Sequence, residues 1–460
     1  MVSQNKIVIK RKFFYWLTIS NFLYIVILII LATVTINLSF GEGGLIQRAQ
    51  DARDLTEQAT MEEQEMLNSL VSELYVPRTD GSFSEEKGVN TPNLGSNMTL
   101  VIFDTDSNTW VTDTTKEGYS YVDASIEGNN KSEWANAEVR VNNEISYFVW
   151  IPRYAYRIVD GEIQIEFIKG TGKESANGIQ CKYANENPTE GVDYIIHPAF
   201  TQDVNYGGWD SELPGIWIAK FQASTTDGTT IKFQPGERAF MNTSLGEMYT
   251  KSKAFSPNLE SHMLKNSEWG AVAYLAESKF GRNGEEIESV KELNDRFTGG
   301  GMDDAYITNV EQSSTGNVYG IYDLVGTYEP VASAYSNQSV IETQDGSTKY
   351  ATVYNGTDVS TAYKYGDATY ETSGWKQDSD QSETSDNPIL GWHQDFLSFV
   401  TSDAPFFIRS GGPDMGFACG IFCSLPDAGA LLRDFLISLS FSCVICKYNL
   451  KKPLYNVTVI

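Results

Sequence analysis

The sequence predicts an α+β fold with long irregular loops, preceded by an N-terminal transmembrane helix and an amphipathic helix. Residues 99–111 and 144–158 alternate or run apolar, as β-strands do. Residues 262–280 place Trp269, Val272 and Leu275 on one helical face, and a glycine follows as a stop. Residues 299–388 are rich in Gly, Ser, Thr, Asn and Asp, which predicts long loops. With 460 residues, the chain is long enough for a sizeable core.

The N-terminal residues predict a membrane anchor. Residues 13–38 carry no charge and are rich in Ile, Leu, Val and Phe. At about 1.5 Å per residue, such a helix crosses a hydrocarbon core of about 30 Å. Lys6, Lys10, Arg11 and Lys12 precede it and predict a cytoplasmic amino end. We therefore expect a single-pass cell-membrane protein, with residues 1–41 as cytoplasmic end and anchor and an extracellular C-terminal domain. A cleaved signal peptide is the alternative, although its apolar core is shorter.

An acidic amphipathic helix is expected after the anchor, within residues 42–76, because apolar residues recur there at three- or four-residue steps. A polar linker at 77–98 and a small β-rich spacer at 99–143 follow. Residues 29–75 resemble the amino-terminal segments of bacterial pilin-like surface proteins, through Ala32-Thr-Val-Thr-Ile-Asn-Leu and Gly41-Glu-Gly-Gly-Leu-Ile. The residues after Lys12 read Phe-Phe-Tyr-Trp-Leu and lack the Gly and Glu of prepilin processing sites, so the resemblance implies a plain anchor.

Composition and charge exclude several classes of protein. A hydrophobic content of 41% and an aromatic content of 12% exclude a wholly disordered chain. The net charge of -26 argues against a nucleic-acid partner, because neutralising phosphates requires a basic face. The charge predicts a solvated acidic surface. Calcium binding is the alternative, but the sequence has no D-x-D-x-D-G loop to support it.

Cysteine and histidine positions do not predict a metal, a cofactor or a catalytic site. Cys419, Cys423, Cys443 and Cys446 superficially resemble a zinc site, but no histidine lies near them and their neighbours are apolar. Free thiols are expected, with a disulfide or a metal site as alternatives; Cys181 is isolated. The three histidines are scattered and form no H-E-x-x-H pair, which favours structural roles for the set His197, His262 and His393.

Three motifs in the C-terminal two thirds share the order and spacing of one known family. The first is Lys265-Asn-Ser-Glu-Trp269-Gly-Ala-Val-Ala273. The second is Asn317-Val-Tyr-Gly-Ile-Tyr-Asp-Leu-Val-Gly-Thr-Tyr-Glu329. The third is Phe407-Ile-Arg-Ser-Gly-Gly412, with Ser440-Phe441 near the end. The scaffold residues that these motifs supply are Glu268, Trp269, Gly320, Asp323, Gly326, Glu329, Arg409, Gly411, Gly412 and Phe441.

These motifs resemble the formylglycine-generating enzyme and sulfatase-modifying factor family, a branch of the C-type lectin fold, over about residues 145–446. The resemblance implies a C-type lectin-like domain at 144–446, followed by a tail at 447–460. The family's enzymes bind copper through a cysteine pair, and no cysteine here aligns with that pair. The family's Trp-Glu-Trp is replaced by Tyr328-Glu-Pro330, and its closing Arg by Ser442. We therefore expect no enzyme and no cofactor, because a fold is shared more widely than its chemistry.

The segment 409–442 has an unusual composition between two bracketing motifs, Arg409-Ser-Gly-Gly412 and Ser440-Phe441. Apart from Met415, every residue in it is one that adenine mutation of Asn codons produces, and no Asn occurs from Pro388 to Tyr448. This pattern resembles the variable proteins of diversity-generating retroelements, whose mutated positions form a ligand-binding face. An ordinary core segment of strands and loops is the alternative. The expected variable face comprises Asp414, Phe417, Cys419, Cys423, Leu425, Pro426, Asp427, Leu431, Leu432, Arg433, Asp434, Phe435 and Leu436.

The sequence therefore predicts a membrane-anchored bacterial surface protein that presents a C-type lectin-fold ligand-binding domain with a retroelement-diversified segment. Its partner is expected to be a protein or a surface glycan. A minor pilin-like structural component is one alternative. A copper-dependent oxidase of the formylglycine-generating type is the other.

Overall fold

The computed structural model describes residues 16, 18–29, 56, 59–60, 78–127, 130–241, 243–291, 296–335, 348–355, 362–374, 389–413, 416, 419–427 and 443–445. The chain divides into two compact units, Met1–Val76 and Pro77–Ile460. All described residues of the first unit are helical.

The predicted transmembrane helix at 13–38 is not supported. Among the described residues, no helix combines the length and the apolar character that a membrane crossing requires. Most of the predicted amphipathic helix at 42–76 lies outside the described residues; those described there, 56 and 59–60, are helical.

The second unit is built mainly from short strands. Its two described α-helices are α1 (Leu245–Phe255) and α2 (Asn266–Glu277). Its described strands are β1 (Phe83–Ser84), β2 (Val89–Asn90), β3 (Met98–Asp104), β4 (Thr109–Thr112), β5 (Asn136–Val141), β6 (Glu144–Pro152), β7 (Tyr154–Val159), β8 (Glu162–Phe167), β9 (Ile195–Ile196), β10 (Gly215–Ala219), β11 (Ser224–Thr225), β12 (Ile231–Lys232), β13 (His262–Met263), β14 (Glu329–Pro330), β15 (Ser333–Tyr335), β16 (Thr352–Tyr354), β17 (Ile389–Leu390), β18 (Phe396–Leu397), β19 (Phe406–Gly411), β20 (Cys419–Asp427) and β21 (Cys443–Ile445).

The predicted fold class, an α+β C-type lectin fold behind a transmembrane helix, is wrong for the described chain, which is mostly β-sheet. Many of the strands are only two or three residues long, and such strands leave no periodic signal in a sequence. The region 299–388, predicted as loops, contributes short strands and 3-10 turns in its described parts.

A seven-stranded antiparallel sheet, in the order β13-β21-β10-β6-β5-β3-β4, forms the centre of the unit. Trp150 of β6 lies opposite Trp217 of β10, and their ring centroids are 5.2 Å apart. Both side chains are fully buried and contribute large apolar area to the core. β3, β4 and β5 come from the predicted spacer at 99–143 and belong to this same sheet.

A five-stranded sheet, in the order β14-β19-β20-β18-β17, carries the third motif. Every residue of β19 is buried. Arg409 of β19 lies opposite Ser424 of β20, whereas Gly411 lies opposite Cys419. One residue on β19, Ser410, therefore lies opposite four on β20, which produces a bulge over residues 420–423. This bulge shapes the candidate site.

Helix α2 packs against the bulge and donates a hydrogen bond to it from Trp269. It begins after Lys265, whose backbone N–H donates to Glu268 Oε2 (2.9 Å) as in a capping box. It is shorter than the predicted helix at 262–280, because His262 and Met263 form β13 and pair with β21. Nearly every residue of α2 is buried, which explains why apolar and small residues occur all round it.

Candidate functional site

A cleft of about 440 Å³ opens where the end of α2, the loop after it, the turn at 392–395 and the described residues of 413–421 meet. We call it the acidic cleft. Its lining residues are Ala276, Glu277, Arg282, Glu285, Glu286, Ile287, Glu288, Ser289, Val325, His393, Asp395, Pro413, Gly416, Cys419, Gly420 and Ile421. Its volume lies in the range of small-molecule and side-chain binding sites.

His393 lies between two carboxylates on one side of the cleft. Its Nε2 is 2.9 Å from Glu277 Oε2, and its Nδ1 is 3.6 Å from Glu286 Oε1. The hydrogen bond to Glu277 raises the pKa of His393 above its ordinary value, although partial burial opposes the shift. The residue has a φ of 57°, a left-handed conformation that costs energy for a non-glycine residue. Its ring also stacks on Phe422, with centroids 6.1 Å apart.

Asp395 is the most deeply buried carboxyl in the lining of the cleft. It is only 4% exposed, and the Phe422 N–H donates to its Oδ2 (2.9 Å). Burial raises its pKa to about 7, because an ionised carboxylate loses its hydration there. A side chain at Gly420 would overlap the Asp395 carboxylate, so this position requires glycine. Asp395 therefore changes its charge near neutral pH.

Two motif residues hold the backbone of the cleft wall. Trp269 on α2 donates its indole N–H to Ile421 O (2.8 Å). Arg409 on β19 donates from Nη2 to Ala368 O (3.0 Å) and to Phe422 O (3.3 Å). The Arg409 guanidinium also lies 5.9 Å from the centroid of the Trp269 ring. The motifs around Trp269 and Arg409 therefore meet beneath the bulge of β20.

The second motif packs against β19. Asp323, with a φ of 61°, accepts from the backbone N–H groups of Gln222 (3.1 Å) and Gly299 (3.0 Å). Glu329 of β14 pairs in register with Arg409 of β19 and accepts from the Gln222 side chain. This network fixes the strand from which the 413–421 segment departs.

The scaffold residues share a buried position in the structure. Those described and buried are Glu268, Trp269, Gly320, Asp323, Gly326, Glu329, Arg409, Gly411 and Gly412, whereas Phe441 lies outside the described residues. Glu268 lies 3.1 Å from His262 Nε2, and His262 and Lys265 hold the pKa of Glu268 below its ordinary value although burial opposes this. The other buried histidine, His197, has its pKa lowered to about 3 by burial.

The predicted variable face is described only in part. Cys419 is half-buried, lines the cleft and has its Sγ 3.2 Å from Ser289 Oγ. Leu425 and Pro426 are half-buried on β20, whereas Cys423 is fully buried beneath the surface. Asp427 lies in β20, but its side chain is outside the described part. The predicted positions that lie outside the described residues are Asp414, Phe417, Leu431, Leu432, Arg433, Asp434, Phe435 and Leu436.

Burial raises the pKa of the Cys423 thiol far above its ordinary value, so the free thiol is protonated at neutral pH. Cys181, Cys419 and Cys423 are free thiols. Within the described ranges, no group of three or more His, Cys, Asp or Glu side chains is arranged to hold a metal ion.

Carboxylates outnumber cations in the cleft. Glu285, Glu286 and Glu288 are exposed at its rim. Of the two basic lining residues, Arg282 is paired with Glu311 (2.7 Å) and His393 with Glu277. The resulting negative potential attracts positively charged groups of a ligand.

Sequence reasoning included Cys419 but missed the charged cleft residues. His393 was expected to be structural, and Asp395 and Glu286 carried no motif. One signal was present: Trp392-His-Gln-Asp395 places two titratable side chains two residues apart, close to the unusual 409–442 segment.

Comparison of the sequence with known protein families and with curated proteins finds no match. The resemblance to the formylglycine-generating enzyme family therefore rests on the three motifs.

Proposed function

We propose that the Pro77–Ile460 unit is a ligand-binding module rather than an enzyme. Its binding surface is the acidic cleft, which Pro413, Cys419 and Ile421 of the segment 409–442 help to line, and a retroelement diversifies that segment. The ligand is a protein that presents Lys or Arg side chains to the cleft.

One observation carries the proposal. Pro413, Cys419 and Ile421, from the segment of unusual composition, line the cleft, while Trp269 and Arg409 hold the backbone behind them. A binding surface with variable contacts needs such an arrangement, since rigid elements must keep the backbone in place while side chains change.

The choice of ligand follows from charge. The rim carries exposed Glu285, Glu286 and Glu288, and Asp395 adds a further negative charge when it ionises. An Arg or Lys side chain in the cleft gains charge-assisted hydrogen bonds to carboxylates, which are stronger than bonds between neutral groups. A neutral glycan gains no such advantage.

Binding is tested by calorimetric titration of the full chain with a tri-arginine amide peptide at pH 8. Glu286→Gln is expected to weaken binding about tenfold, which is about 1.4 kcal/mol. Asp106→Asn is the matched control, since Asp106 is an exposed acid in the β3–β4 turn and not a cleft residue. Equal weakening by Glu286→Gln and Asp106→Asn contradicts the proposed site, because it shows attraction by net charge alone. An unchanged affinity of Glu286→Gln contradicts it as well.

Diversification is tested by sequencing the DNA around the gene. We expect a reverse transcriptase gene and a repeat that differs from codons 409–442 only at template adenines. A locus with neither contradicts diversification and leaves the cleft as a fixed binding site.

We also propose that the module is displayed outside the cell. The basic residues Lys6, Lys10 and Lys12 before the uncharged stretch at 13–38 are typical of segments that direct export. Protease treatment of intact cells is expected to degrade the second unit. Its survival until the cells are lysed contradicts external display.

A further inference from the structure

We propose that β8 is a docking strand: an extended, basic peptide of a partner protein adds to its free edge as a further β-strand. This inference depends on backbone groups of a different sheet from the one that shapes the acidic cleft, although Glu277 lines both sites.

β8 is the edge of a three-stranded sheet with the order β8-β7-β9. The His197 N–H of the segment after β9 donates to Tyr154 O, so the backbone of Tyr154 faces β9 and that of Ala155 faces β8. Ala155 lies opposite Glu166. Because directions alternate along a strand, the N–H and C=O groups of Ile163 and Ile165 point away from β7.

No backbone hydrogen bond within the described ranges occupies these outward groups of Ile163 and Ile165. At the end of β8 the next outward group is already hydrogen-bonded, because the Ala176 N–H donates to Phe167 O (2.7 Å). An edge strand with unpaired donors and acceptors is a template for another strand.

The free edge lies in a groove of about 600 Å³ rather than on a flat surface. β8 forms one wall of the groove, and the end of α2 with the turn after it, including Lys279 and Asn283, forms the other. A groove with a strand edge on one side admits an extended chain and excludes bulkier elements. This arrangement favours a short peptide segment over a folded surface.

Charge selects a basic peptide. Glu162 and Glu166 line the groove, and the carboxyl end of α2 adds the negative end of a helix dipole; Glu277, also in the lining, is already paired with His393. Lys279, the basic residue among the lining residues, is neutralised by Asp123 at 2.6 Å. A partner strand with alternating Lys or Arg residues therefore fits both the hydrogen-bonding edge and the charge.

The first test uses the full chain and a fluorescent ten-residue peptide of alternating Lys and Thr, with binding followed by anisotropy. The matched peptide of alternating Glu and Thr is expected to bind at least about tenfold more weakly. N-methylation of alternate residues in the register that faces β8 removes the donors, and we expect it to weaken binding about tenfold, while methylation in the other register has little effect. Equal binding of both methylated peptides, or no binding of the Lys-Thr peptide at 1 mM, overturns the proposal.

The second test changes the strand. Ile163→Pro removes one outward N–H and leaves the bonds between β7 and β8 in place, because Ile163 does not donate to β7. We expect about tenfold weaker binding, with Ile163→Val unchanged as the matched control. If Ile163→Pro does not fold, the methylated peptides still decide on the wild-type chain. A concentration-dependent dimer of the wild type that Ile163→Pro abolishes overturns the proposal, since the edge then pairs with a second copy.

Discussion

Replacing Asp395 by Asn tests the electrostatic description of the cleft. Burial raises the pKa of Asp395 to about 7 in the folded chain, from an ordinary value of 3.8. A shift of about three units corresponds to about 4 kcal/mol. The folded state binds more protons than the unfolded state between these pKa values, so ionisation of Asp395 lowers the free energy of unfolding as pH rises from about 4 to 7. Asn does not ionise and keeps an oxygen for the Phe422 N–H.

We expect Asp395→Asn to exceed the wild type in stability by less than about 1 kcal/mol at pH 4.5 and by up to about 4 kcal/mol at pH 8. Urea unfolding followed by tryptophan fluorescence measures this gap, since of the nine tryptophans only Trp16 precedes the second unit. Asp106→Asn, at an exposed turn, controls for the loss of one negative charge. A gap that is the same at both pH values, or a variant less stable than the wild type at pH 8, refutes the reasoning.

Three further substitutions test the cleft wall and its charges. Trp269→Phe removes the indole donor to the β20 carbonyl and is expected to lower the free energy of unfolding by about 1–3 kcal/mol; an unchanged urea midpoint contradicts this role. Gly420→Ala places a methyl group against the Asp395 carboxylate and is expected to lower the free energy of unfolding by about 1–3 kcal/mol. The pKa of Asp395 is expected to fall, because its side chain moves into water. An unchanged free energy of unfolding with an unchanged pKa shows that the wall is not tightly packed. Glu277→Gln is expected to lower the pKa of His393, measured by NMR. The pairing of His393 with Glu277 stabilises the wild type fully below the unfolded pKa of His393, about 6.5, and less as pH rises through its folded pKa. A stability difference between wild type and Glu277→Gln that does not change with pH therefore contradicts the pairing.

The scaffold of the site was accessible to sequence reasoning, because its residues occur in short motifs with dense local signals. Trp269 and Arg409 were singled out in this way, and the structure brings them together behind the β20 bulge. No motif predicts the contact between Trp269 and Arg409, because α2 and β19 lie far apart in the sequence. Motifs that occur in the same order as in a known family predict a common scaffold, but they do not predict which backbone carbonyl accepts a hydrogen bond from each side chain.

The fold class and the cleft were not accessible in the same way. Periodicity requires several residues, and strands such as β14 and β18 have only two. His393 and Asp395 become unusual through desolvation and through partners far along the chain, such as Glu277. A sequence shows which side chains are titratable but not which of them are buried.

The central claim is that ligands bind in the acidic cleft beside the 409–442 segment. Hydrogen exchange of the full chain, with and without the tri-arginine amide at pH 8, tests it most directly. We predict slower exchange in fragments covering 276–289 and 392–421, where the cleft wall lies. Unchanged exchange in both regions while the peptide binds, or protection confined to other acidic surfaces, contradicts the claim.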